Sequence, residues 1–87
     1  MTNYNIHFKE ADFKKGEEWK KVAEKRIEDA IAPYNGSIVH FSEYIPVVIV
    51  SLDVSKVNDE KAIMGELESK LFAQKIEREG GPFTIPS

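Results

Sequence analysis

Residues Val47 to Val54 read Val-Val-Ile-Val-Ser-Leu-Asp-Val, and this run constrains the fold more than any other part of the chain. Branched side chains lose rotamer freedom in a helix but pack well on a pleated surface, so the run predicts a strand. Successive residues of a strand point to opposite faces. Val48, Val50, Leu52 and Val54 therefore share one face, and Val47, Ile49, Ser51 and Asp53 share the other. A strand with apolar residues on both sides belongs inside a sheet, and the rest of the chain has to supply its neighbours.

Tyr4, Ile6 and Phe8 alternate with Asn5 and His7, which predicts a first, half-buried strand. Trp19, Val22, Ala23, Ile27, Ala30 and Ile31 then recur at three- and four-residue spacings, with Lys, Glu and Arg opposite, as on an amphipathic helix. Glu17 and Glu18 suit its positive N-terminal end. Pro33 stops it by disfavouring helical geometry in Ala32, and Asn35-Gly36 supplies a turn. Ser37 to Ile45 is β-branched and aromatic and reads as a second strand, broken from the third by Pro46.

Asn58 suits a helix N-cap with Asp59 and Glu60 behind it, and Val57 with Ala62 suits a hydrophobic staple. Ile63, Leu67 and Leu71 form the stripe of this second helix, with Ala62 beside them; Gly65 weakens it. Residues 72–77 fit either a helical extension or a fourth strand with Phe72, Gln74 and Ile76 on one side. Gly80-Gly81-Pro82 ends whatever precedes it. The order β-α-β-β-α-β predicts an α+β, ferredoxin-like split β-α-β fold: a four-stranded antiparallel sheet with two helices on one face. Residues 1–79 form the domain and residues 80–87 an extended tail.

At 87 residues there is room for one core. The chain has no cysteine, and its two histidines, His7 and His40, lack metal-ligand spacing, so the fold rests on apolar packing. A net charge of −3 disfavours nucleic acid, whose phosphates call for a basic surface. The longest apolar run is too short for a membrane span. The first ten residues lack the apolar core of a signal peptide, which predicts a cytoplasmic location.

Catalytic motifs are lacking: there is no Gly-rich phosphate loop and no serine in a strained elbow. A strand histidine such as His7 or His40 is far more often solvated or packed than a general base. The sequence therefore predicts no enzyme and no cofactor. Binding has more support. If Val48, Val50 and Leu52 face the helices, Val47 and Ile49 lie exposed on the uncovered side and begin an apolar patch. If residues 77–79 are strand, Glu77 and Glu79 point together, and paired carboxylates suit the N-termini of helices in a partner. Phe83 and Ile85, spaced among prolines after a glycine pair, suit extended binding in a groove.

These features together resemble the propeptide and inhibitor family of subtilisin-like serine proteases, in particular its small free-standing members, the fungal proteinase B inhibitors. The resemblance spans Tyr4 to Glu79. Its most specific parts are Asn35-Gly36-Ser37-Ile38-Val39-His40-Phe41, Tyr44-Ile45 with the strand through Leu52, and the apolar-acid-x-acid element Ile76-Glu77-Arg78-Glu79. Ser69-Lys70-Leu71 stands where the family has Asp-Pro, and the tail is longer than in typical propeptides. The resemblance implies that the open sheet face lies on two parallel helices of a subtilisin-like protease and that Glu77 and Glu79 cap them. It also implies that the tail, with Phe83, Thr84, Ile85, Pro86 and Ser87, enters the substrate cleft like a product. The domain would inhibit in trans, or assist folding of a separate protease, and be monomeric when free. A homodimeric regulatory or ligand-binding domain that pairs its sheet faces is the alternative, and an RNA-binding sheet is disfavoured by the acidic charge.

Overall fold

The computed structural model describes residues 2–53 and 60–78. Strand β1 (Thr2–His7) leads through a short helix α1 (Glu10–Phe13) into the long helix α2 (Glu17–Ile31). Strands β2 (Ser37–Phe41) and β3 (Val47–Leu52), helix α3 (Glu60–Leu71) and strand β4 (Lys75–Arg78) follow. The four strands make one antiparallel sheet in the order β2-β3-β1-β4. This is the ferredoxin-like α+β arrangement, with the first and third strands at its centre and an additional four-residue helix before α2.

The alternation along β3 decides which face is covered. Val48, Val50 and Leu52 are completely buried, as are Ile6 and, from the helices, Ile27 and Ile31. Tyr4, Phe8, Ala30, Leu67, Leu71 and Ile76 join them in this core. Each fully buried aliphatic side chain contributes about 1.5–3 kcal/mol relative to exposure, so this one layer carries the fold in the absence of any cross-link. Trp19 packs against its end, edge-to-face with Phe8 at 5.4 Å between ring centroids.

Several boundaries differ from the sequence expectations for identifiable reasons. Helix α2 does stop at Ile31, where Ala32–Tyr34 tightens into a 3-10 turn containing Pro33. Asn35 then takes the left-handed conformation, with φ 52°. Val22 was expected on the buried stripe but is exposed, because Trp19, Ala23, Ile27 and Ala30 define a stripe that passes it by. The second strand ends at Phe41, not Ile45. There the Ser42 hydroxyl accepts hydrogen bonds from the amides of Tyr44 (3.3 Å) and Ile45 (3.2 Å), which folds the chain into a turn. In α3, Met64 rather than Ala62 packs beside Ile63, and the helix runs its full twelve residues despite Gly65.

Of residues 72–77, which fit either a helix or a strand, residues 75–77 join strand β4, while residues 72–74 form a turn between α3 and β4. The helix ends at Leu71 because Phe72 turns left-handed, with φ 55°, and the Ala73 amide donates back to the Glu68 carbonyl (3.1 Å). Of Phe72, Gln74 and Ile76, only Ile76 enters the core; Gln74 is exposed, and Phe72 is exposed under the Arg26 guanidinium, 5.5 Å from its ring centroid. Val54, Val57, Asn58 and Asp59, including the expected cap and staple, lie outside the described residues, as do Glu79 and the tail.

Tyr4 shows how α3 is tied to the sheet. Its hydroxyl donates to Glu60 Oε2 at 2.7 Å, and the Arg78 guanidinium stands 3.6 Å from the same carboxylate oxygen. Burial, and then the hydrogen bond to Glu60, push the phenol up to about 12. A raised phenol favours the folded state while protonated, so stability should decline as pH rises from 10 toward about 12. Alkaline titration of tyrosine absorbance should show one late phenol that disappears in Tyr4→Phe. A loss of signal in Tyr4→Phe confined to pH 10 and below would contradict this.

Candidate functional site

The face of the sheet opposite the helices carries the side chains that alternate with the core. On β3 these are Val47, Ile49 and Ser51; on β1, Asn3, Asn5 and His7; on β4, Lys75 and Glu77; on β2, Ser37 and His40. Register makes them into rows. Ile49 lies opposite Asn5 on one side and His40 on the other, and Asn5 lies opposite Glu77. One row thus crosses all four strands as His40, Ile49, Asn5, Glu77. The next row sets Val47 opposite His7, and His7 opposite Lys75.

Val47 and Ile49 are half-buried rather than exposed, since cross-strand neighbours shield their flanks. They remain the apolar centre of the face. Ser51, which shares their side, is buried. A bulge between Ile38 and His40 shifts the register of β2, which sets Val39 out toward solvent and leaves His40 on the open face.

Glu77 is held diagonally across the sheet. One carboxylate oxygen lies 3.0 Å from His7 Nε2 and the other 3.5 Å from Lys75 Nζ. The hydrogen bond from His7, assisted by the Lys75 charge, keeps the Glu77 carboxyl below its ordinary range. A lowered carboxylate favours the folded state when ionised, so this contribution is present at neutral pH and disappears as pH falls below 4.5. The group is well solvated and the contribution correspondingly small. Between Ile49 and Glu77, the Asn5 side-chain oxygen is shut off from solvent with no hydrogen-bond partner among the described residues. Such an acceptor costs about 1–3 kcal/mol.

Of the residues expected to bind, Val47, Ile49 and Glu77 are brought onto one surface. Glu79, Phe83, Thr84, Ile85, Pro86 and Ser87 lie outside the described residues. His7 and His40 sit on this same face without approaching one another in a row: His7 pairs with Val47 and Lys75, His40 with Ile49. Neither Asn5 nor the His7–Glu77 contact is marked by any motif in the sequence. The alternation of residues 4–8 already placed both β1 side chains on the uncovered face, but their apposition to Glu77 depends on register.

Among the described residues, no group of three or more His, Asp or Glu side chains is arranged to hold a metal ion. Nor is any helix among them long and apolar enough to cross a membrane. Comparison with protein families, curated proteins and solved structures finds no match to this chain.

Proposed function

We propose that this domain is an inhibitor of a subtilisin-like serine protease, binding through its open sheet face and placing its C-terminal segment in the substrate cleft. The observation that carries this reading is the row of Ile49, Asn5 and Glu77 on the face away from the helices, with Val47 beside it. An apolar centre flanked by a carboxylate matches a surface formed by two helices, where side chains meet Val47 and Ile49 and an N-terminus meets Glu77. The face is also poorly matched to the needs of an isolated domain. It leaves the branched side chains of Val47 and Ile49 half-exposed. A partner's helix would draw Glu77 away from His7 and Lys75, which are weak, solvated competitors. The resemblance to the propeptide and inhibitor family supports the same assignment. The mechanism asks for no catalytic group in the inhibitor, only product-like occupation of the cleft.

The test is titration of a subtilisin-type protease with the purified domain, following cleavage of a chromogenic peptide. Stoichiometric or submicromolar inhibition is expected. Glu77→Ala/Glu79→Ala should weaken it at least about tenfold, the result of two helix-end contacts near 0.7 kcal/mol each. Deleting Phe83 to Ser87 should abolish inhibition while leaving binding measurable. Full protease activity at tens of micromolar intact domain would overturn the proposal. A dimer in sedimentation under those conditions would assign the open face to a second copy of the chain instead.

A further inference from the structure

A cavity of about 280 Å³ opens at the end of the molecule where α1, the start of α2 and the end of β2 converge. Three of its walls are aromatic: Phe13, Trp19 and Phe41. Trp19 is the hub, with ring centroids 6.3 Å from Phe13 and 6.0 Å from Phe41 and interplanar angles of 79° and 76°. Perpendicular packing of this kind turns both faces and edges toward a shared space. Two carboxylates, Glu17 and Glu43, stand at the lining, and neither has an ion-pair partner among the described residues. A cation already uses one wall: Lys20 Nζ sits 5.3 Å from the centroid of Phe41.

We propose that this cavity is a binding site for an alkylammonium group. Aromatic faces attract cations through the ring quadrupole, most strongly where water is partly excluded, and ring clusters of this kind recognise quaternary and methylated ammonium groups. The two carboxylates add attraction for the same charge and repel an anionic ligand. Lys20 stands in for the ligand on Phe41 and competes with it. The cavity accepts a trimethylammonium head or the end of a lysine side chain, and these two sources share the chemistry. The site is independent of the sheet face and of the inhibitor proposal, since none of its lining residues lies in the Ile49–Glu77 row.

Trp19 is the chain's single tryptophan, so its fluorescence reports on the cavity directly. The experiment titrates the full chain at constant ionic strength with choline, with N-acetyl-lysine methylamide, with benzoate, and with the uncharged isostere of choline in which tert-butyl replaces trimethylammonium. A saturable change with choline or the lysine amide, and a weaker one or none with the isostere and benzoate, supports the site; the stronger of the two cations identifies the source. Glu17→Gln/Glu43→Gln should weaken binding about fivefold, as expected for two solvated charge contacts. Lys20→Met, which removes the competing ammonium while keeping the apolar stem, should strengthen it. No saturable response to either cation, an equal response to the isostere, or unaltered affinity in both variants would overturn the proposal.

Discussion

Gly36→Ala should destabilise the domain by about 2–3 kcal/mol, a large share of what an 87-residue domain possesses. A Cβ added at this position would stand 2.6 Å from Leu52 Cδ2, 2.7 Å from Ile31 Cβ and 2.9 Å from Ile31 Cγ1. Both neighbours are completely buried, one at the end of α2 and one at the end of β3. Ile31 Cβ is bonded to its own backbone and cannot swing aside, so the turn has to move away from the helix or the helix from the sheet. The Gly36 amide donates to the Ile31 carbonyl (3.0 Å), and the Asp53 amide donates to the Tyr34 carbonyl (2.9 Å), so movement also loosens those bonds. Urea unfolding should show a lower midpoint with an unchanged slope, and the melting temperature should fall by roughly 8–20 °C. A loss below about 0.5 kcal/mol would mean that the helix–sheet junction yields freely.

The same turn shows what a sequence can and cannot reveal. Asn35-Gly36 is legible as a turn because both residues tolerate unusual backbone angles. The division of labour between them is not legible: Asn35 takes the left-handed conformation, and Gly36 is needed for closeness to Ile31 and Leu52. Strand β3 and the α3 stripe of Ile63, Leu67 and Leu71 were readable because one spacing repeats over several residues. Helix α1 was not, since four residues are too few to display a helical period. Ser42 ended β2 early through hydrogen bonds from its hydroxyl, an alternative to the ladder that propensity does not weigh.

For the sheet site, the face of each residue was legible but not its neighbours. Alternation placed Ile49 on the open side, yet its alignment with Asn5 and Glu77 follows from how β1 enters between β3 and β4. The aromatic cavity was less accessible still. Phe13 and Phe41 lie on separate elements far apart in the chain, and only folding brings both to Trp19. The exposed Val22 and Phe72 mark the converse: apolar residues that a periodic pattern assigns to the core, but that the actual stripe of α2 and the left-handed end of α3 leave outside.

The adjacent residues Ile49 and Val50 should separate folding from binding. Val50 is completely buried against the helices, opposite Tyr4 and Ile38. Val50→Asp removes about 1.5–3 kcal/mol of apolar burial and places an unpaired carboxyl in the core at a cost of about 3 kcal/mol or more. The sum rivals the total stability of about 4–13 kcal/mol expected at this length, so this variant should be largely unfolded by circular dichroism. Ile49 lies one residue away on the open face, half-buried between Asn5 and His40. Ile49→Asp should therefore fold, with a penalty of about 1 kcal/mol from the loss of a β-branched side chain on the sheet. If the open face is the contact surface, the same substitution should weaken protease inhibition by at least about tenfold, because a charge then replaces an apolar side chain at the centre of the contact. A folded Ile49→Asp that inhibits as well as the parent would remove the sheet face from the mechanism and leave the C-terminal segment alone to explain inhibition. A folded Val50→Asp would instead contradict the burial on which the orientation of the whole sheet rests.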